Sequence, residues 1–301
     1  MNKLRIFILL LAVAGSSLVA KAQEIKALEN DQYCVTSGDM TLVVDAAHGG
    51  KILSFKLKDQ EVLNQGRRPN SFGSTFWTSP QSQWNWPPVA EYDTKPFTAE
   101  LKDNVLTLTG EKSERFGYRV RKVIHVCEND GAMVITYSIV NESGETRQVA
   151  PWEISRVANG GVLFFQADKV EPANNMTGLP FTFKDGIAYY EMDEAMENRK
   201  INADGEGWLA FNNGSVIFVK KFQNLKEGEA APAEAEIQVY ANPGKTFVEV
   251  EEQGPYTTLQ PGESVNWTVR WYLIPAEGAD NGLEKVTALL KGATNHVHGS
   301  H

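Results

Sequence analysis

Along the chain, short apolar-rich runs are split by polar turns. Tyr33-Cys34-Val35, Thr41-Leu42-Val43-Val44 and Lys51 to Leu57 are three such runs, with Gly49-Gly50 and Asp59-Gln60 supplying breaks, which predicts successive strands. The same rhythm returns at Val105 to Thr109, Tyr118 to Val126, Ala132 to Val140, Val216 to Lys220, Ile237 to Tyr240, Thr246 to Val250 and Val265 to Leu273. All are rich in the β-branched and aromatic residues that suit a pleated, half-buried surface. About a dozen strands follow, a sandwich-sized count, and the fold class is all-β. Leu283, Val286, Leu289 and Leu290 fall at helical spacing behind Asp280-Asn281, with Gly292 as a stop; they predict one short terminal helix, a strand being the alternative. Residues 64 to 97 and 171 to 207 lack clean periodicity and read as long loops, which in a compact domain tend to be functional or disordered.

The opening residues follow a different plan. Lys3 and Arg5 precede an apolar run from Ile6 to Val13, and Ala20-Lys21-Ala22 precedes Gln23, the layout of a cleavable signal peptide. Residues 1–22 are therefore expected to be a leader cut near Ala22/Gln23, residues 23–292 one β-sandwich domain, and residues 293–301 a tail. The apolar run is too short for a membrane span, and no other stretch approaches the roughly 20 consecutive apolar residues a spanning helix needs. Without a cysteine after that run, a lipid anchor there has no support, and periplasmic or secreted delivery is the expectation. The leader carries three cations and no acid, so its loss takes the net charge from −9 to −12. Such a surface repels phosphate backbones, and no nucleic-acid partner is expected. Cys34 and Cys127 form no CxxC pair; an oxidising compartment permits a bridge between them, and buried free thiols are the alternative.

The segment SFGSTFWTSPQSQWNWPPVAEYD carries Phe72, Phe76, Trp77, Trp84, Trp86 and Tyr92 among prolines and amides. Flat apolar rings beside hydrogen-bonding side chains suit a sugar, which presents C–H patches on its faces and hydroxyls around its edge. The bland reading is an extra core capping one end of the sandwich. In Phe247-Val248-Glu249-Val250-Glu251-Glu252-Gln253, period two puts Glu249 and Glu251 on one side of a strand, with Val248, Val250 and Glu252 on the other. Two like charges on one side imply either a solvated surface or a ligand-gripping one. In Pro151-Trp152-Glu153-Ile154-Ser155-Arg156-Val157, Glu153 and Arg156 are charges inside an apolar strand, and buried charges rarely lack a partner or a purpose.

His296, His298 and His301 belong to the tail, leaving His48 at a glycine turn and His125 on a strand where it alternates with Val123 and Cys127. His125 reads as a core or sheet-face residue and His48 as an exposed, uninvolved one. A three-histidine zinc site in the core is excluded by count, and no metal or cofactor is called for. Asn202-Ala203-Asp204-Gly205-Glu206-Gly207 has the start of a calcium loop, but Asn213 stands where the bidentate glutamate belongs, so an ordinary turn is expected. No G-x-S-x-G, Walker loop or H-E-x-x-H occurs, which removes the familiar hydrolase, nucleotide-binding and metalloprotease patterns.

The segment HGGKILSFKLKDQEVL resembles the opening of galactose-mutarotase-like domains, and FVEVEEQGPYTTLQPGESVNWTVRWYLIP resembles their closing strands. FGSTFWTSPQSQWNWPP and APWEISRV between them resemble an uncharacterised branch of secreted bacterial domains in that superfamily. The resemblance spans most of the chain after the leader and implies a large twisted β-sandwich whose concave sheet holds a sugar. In the aldose epimerases of that superfamily a glutamate is general base and a histidine general acid. Glu251, two places before Gln253, matches the glutamate, with Glu249 as its same-side fallback. The histidine's expected region falls near Trp152 or Glu153, where none occurs, and the family's Asn-Arg pair is also absent. The resemblance thus implies a carbohydrate-binding cleft lined by Trp77, Trp84, Trp86 and Trp152, with Glu153, Arg156, Glu249 and Glu251 as polar contacts. Its alternatives are a mutarotase variant and a glycan-cleaving enzyme that uses Glu153 and Glu251 as its catalytic pair.

Overall fold

A computed structural model describes residues 23–66, 71–277 and 282–293. The expected leader, the Asp280-Asn281 helix start and the tail histidines lie outside the described residues. The strands assemble into two antiparallel sheets. One, of twelve strands, runs in the order Gln23–Ala27, Gln32–Ser37, Met40–Asp45, Lys51–Leu57, Ser74–Ser79, Arg147–Ala158, Phe247–Gln253, Ile237–Ala241, Arg199–Ala203 and Glu171–Pro172, with two short strands off this path. The other, of ten strands, is centred on Val216–Lys221, Ser264–Pro275, Met133–Asn141 and Tyr118–Val126.

The sheets form a sandwich because each has an apolar face to bury. Phe76 of the first stacks on Tyr137 of the second at 4.4 Å between ring centroids, and Phe55 meets Phe218 and Trp271 at 5.5 Å each. The outer face of the ten-stranded sheet is covered in part by the helix Leu283–Gly292, whose buried Val286 joins Ala132, Val134, Phe164 and Tyr272 in a second cluster. That helix matches the spacing read from Leu283, Val286, Leu289 and Leu290.

Two regions expected to be long loops carry strands. Ser74–Ser79 has six consecutive buried residues and so shows no alternation in sequence. Within 171–207 lie Thr182–Lys184, Ile187–Glu191 and Arg199–Ala203; they are short, and Arg199-Lys200 places two buried cations where an apolar pattern would be sought. Cys34 and Cys127 are free and do not form a bridge. The Asn202–Gly207 stretch leaves its strand through a turn with Gly207 at φ +71° and its amide bound to Glu236 at 2.9 Å. No group of potential metal ligands occurs among the described residues. Nor is any described helix long and apolar enough to cross a membrane.

Candidate functional site

Alternation divides the side chains of two central strands between the sandwich interior and the opposite, outer face. The register pairs Glu153 with Glu252, Ile154 with Glu251 and Arg156 with Glu249. Paired residues share a face, so Glu153 and Glu252 point inward while Trp152, Arg156, Glu249 and Glu251 point outward.

The outer face holds a cleft of about 1080 Å³. It crosses adjacent strands of the twelve-stranded sheet, taking Asp45, Lys51, Trp77, Trp152, Arg156, Glu249, Tyr240 and Lys200 from them, and is flanked by Trp86-Pro87-Pro88 and by Asp93. Trp77 meets Trp152 at 5.5 Å and Trp86 at 6.0 Å, both edge to face, the arrangement the ring quadrupoles favour. Its indole N–H donates to Asp93 at 2.7 Å. Trp86 remains 69% exposed at the cleft, an uncovered aromatic face. Trp84 is not a lining residue: it is buried behind Trp77 and donates to the Thr78 carbonyl at 2.8 Å, so it supports the wall and fits the bland reading of the aromatic segment.

Each outward carboxylate has its own cation. Arg156 Nε lies 2.8 Å from Glu249, an ion contact too poorly aligned for a hydrogen bond, while Nη1 donates to Thr75 at 3.3 Å and the guanidinium sits 5.7 Å from the Trp77 ring. Lys200 and the Trp152 indole both donate to one oxygen of Glu251, at 3.1 and 2.8 Å. The other oxygen, Oε1, is buried without a partner. Burial pushes the Glu251 carboxyl up to about 7, against the pull of Lys200. Glu251 is fully buried beneath Trp152 and Lys200, whereas Glu249 lines the cleft; the carboxylate that meets the cleft is the fallback of the resemblance.

Glu153 does not reach the cleft. Its carboxylate bonds Lys220 and Ser74 inside the sandwich and accepts from Ser155 at 2.8 Å. Lys220 also donates to Glu252 at 2.7 Å and to the Val250 carbonyl at 3.2 Å. Burial, then the neighbouring Glu153, holds the Glu252 carboxyl well above the usual range. Glu153 and Glu251 thus lie on opposite faces of one sheet and do not form a pair across a bound sugar.

Several cleft residues escaped the sequence reading as site members, three basic ones among them. His48, expected to be uninvolved, lines the cleft with Nδ1 2.8 Å from Asp45. Lys51 follows two residues after Gly49 and lines it too, its amine 4.8 Å from the Phe72 ring. Burial, then Arg156, lowers the Lys51 amine to about 8, with Asp93 and Asp45 acting the other way. Lys200 comes from a strand read as loop. The turn His48-Gly49-Gly50 is the signal that was available, and the structure gives its purpose. Gly49 has φ +65°, and a Cβ there would lie 2.3 Å from the Asp93 carbonyl, so the turn can press against the Trp86–Thr94 flank. From the second sheet, Lys122 donates to the carbonyls of Gly49 and Gly50 at 2.7 and 2.8 Å. His125 is half-buried on its strand, and burial lowers its basicity.

No protein-family model matches the chain, and neither does any curated protein. Solved structures do match. A proposed aldose 1-epimerase from Escherichia coli K12 superposes with a TM-score of 0.57 at 13% identity, over 81% of this chain and 99% of that one. Galactose mutarotase-like proteins from Lactobacillus casei and Clostridium acetobutylicum both give a TM-score of 0.55, at 14% and 10% identity, covering 81% and 85% of this chain and 100% and 99% of theirs. At such identities the likeness is one of fold.

Proposed function

We propose, from a galactose-mutarotase-like sandwich as premise, that the protein is exported and holds a carbohydrate in the outer-face cleft for glycan recognition or utilisation. The observation that carries this is the composition of one cavity. Trp77, Trp86 and Trp152 offer ring faces and edges beside Glu249, Arg156, Lys200, Tyr240 and Asn242, the mixture a pyranose needs for its C–H faces and its hydroxyl rim. The volume exceeds what one monosaccharide fills, which favours an oligosaccharide. Export rests on the layout of residues 1–22 and places the protein in the periplasm or outside the cell.

A thermal-shift and tryptophan-fluorescence screen against mono- and oligosaccharides tests the reading, because a ligand of the native state raises its melting temperature. Binding with quenching of tryptophan emission is expected; a panel that leaves both unchanged sinks the proposal. A second reading, anomer exchange as in an aldose 1-epimerase, is favoured by His48, whose Nδ1 engages Asp45 while its Nε2 has no partner among the described residues, with Glu249 in the same cleft. Polarimetry on any ligand found separates the two: accelerated mutarotation, lost in His48→Asn, supports exchange, and binding without it supports recognition alone.

A further inference from the structure

We propose that the cleft takes an acidic sugar, with the anionic substituent of the ligand seated on the Lys51 ammonium; this rests on the carbohydrate reading above and narrows its substrate class. The charges around the cavity can be matched partner by partner. Asp45 accepts from His48 and from the Ala47 amide at 2.8 and 2.9 Å. Asp93 accepts from Trp77, Glu249 is matched by Arg156, and Glu251 by Lys200 and Trp152. Every carboxylate at the cleft is engaged. Lys51 is not: its residue is only 8% exposed, yet among the described residues its amine has no ion pair or hydrogen bond, only the face of Phe72.

The Lys51 ammonium has three donors for which the described residues supply no acceptor, and it lines the open cleft, so its donors are left to solvent or to a ligand. A ligand anion is the partner that also matches its charge. Arg156 strengthens the case. It is close enough to repel Lys51, and its Nη2 makes no hydrogen bond among the described residues, so an anion between the two cations relieves their repulsion and gains charge-assisted bonds. A neutral hydroxyl would satisfy one donor and leave the repulsion in place. The net charge of −9, or −12 once the expected leader is lost, works against any anion at long range, so the preference is local and sets which sugar stays rather than how fast it arrives. The carboxylate of a uronic acid, a sulfate ester and a phosphate ester share the required chemistry.

The test is calorimetric titration of the purified protein with trisaccharides in matched pairs. Each uronate form is set against its carboxyl-reduced form on galacto, gluco and manno skeletons, with sulfated and phosphorylated sugars as further arms. The tightest ligand is expected to be acidic, by about tenfold or more over its neutral counterpart, and the arm it belongs to identifies the anion. Lys51→Met should bring that ratio close to one, chiefly by weakening the acidic ligand, and Lys51→Arg should preserve most of it. Because Lys51 has no ion pair or hydrogen bond to lose among the described residues, and a methionine can still pack on Phe72, the methionine variant should melt at or above the wild type, which checks that it folds. The preference should also fade as pH rises above about 8, where the free amine loses its proton. Equal binding of acidic and neutral forms, or a ratio that survives in Lys51→Met, overturns the inference and leaves the carbohydrate reading intact. Binding of neither form overturns both.

Discussion

On the inward side of Arg147–Ala158 and Phe247–Gln253, two carboxylates, Glu153 and Glu252, share the single cation Lys220. On the outward side of the same strands, Glu249 and Glu251 each have a cation of their own, and Lys51, on a nearby strand, has no ion pair among the described residues. The inner group is short of positive charge, and burial with the neighbouring Glu153 pushes the Glu252 carboxyl well above the usual carboxylate range, toward its neutral form. No solvent route is needed for that, and the group is closed. The outer group lies against a cavity and has donors to spare. Burial alone therefore does not mark a functional charge, since both groups are buried; the difference lies in which unmet bonds face open volume.

The contrast can be broken most forcefully from the inside. Lys220→Met leaves two carboxylates in the core without a cation and should cost about 3–5 kcal/mol, read as a large fall in the denaturant midpoint, with Glu252→Gln in the same chain recovering part of it. A midpoint unchanged by the single substitution would mean that the inner group carries no such strain. Gly49→Ala comes next. The left-handed φ and the 2.3 Å approach to Asp93 predict a loss of about 1–3 kcal/mol, together with weaker ligand binding as His48 and Lys51 shift. On the outer side, Trp86→Ala should change stability by no more than about 0.5 kcal/mol, being exposed, while reducing sugar affinity several-fold; the buried neighbour sharpens this, because Trp84→Ala should do the opposite.

The smallest effect is on pH. Glu251 and Glu252 keep protons in the folded state that the unfolded chain has lost, so between about pH 4.5 and 7 stability falls as pH rises. Lys51 and Lys122, lowered to about 8 and about 7, have the reverse sign: the unfolded chain holds protons that the folded one has released, and stability rises from about pH 7 toward 10.5. Melting temperature against pH should show a shallow minimum near neutrality, with Lys51→Met losing part of the alkaline rise. A steady fall across the whole range would contradict the assignments of the two lysines.

The split between the faces was partly legible in the sequence. Alternation placed Glu249 and Glu251 on one side and Glu252 on the other, and the structure keeps that division. The same rule separates Glu153 from Trp152 and Arg156, which cannot all reach one cleft from a regular strand; the charge on Glu153 drew it into the expected site against the periodicity. His48, Lys51 and Lys200 were out of reach for a different reason. Their proximity depends on strand order, with Lys51–Leu57 beside Ser74–Ser79 and Arg199–Ala203 beside Ile237–Ala241, and pairings across such distances leave no local pattern. The sandwich itself needed only the repeated short strands, because its core is built from their apolar faces.

Lys122 gives the molecule a practical indivisibility. Its amine reaches from the ten-stranded sheet to hold the Gly49 and Gly50 carbonyls, so the turn that presents His48 and Lys51 is fastened to the far layer as well as to its own. Anyone transplanting the recognition surface onto another scaffold would have to carry that rivet along. A graft of the twelve-stranded face alone would copy the residues and lose their placement.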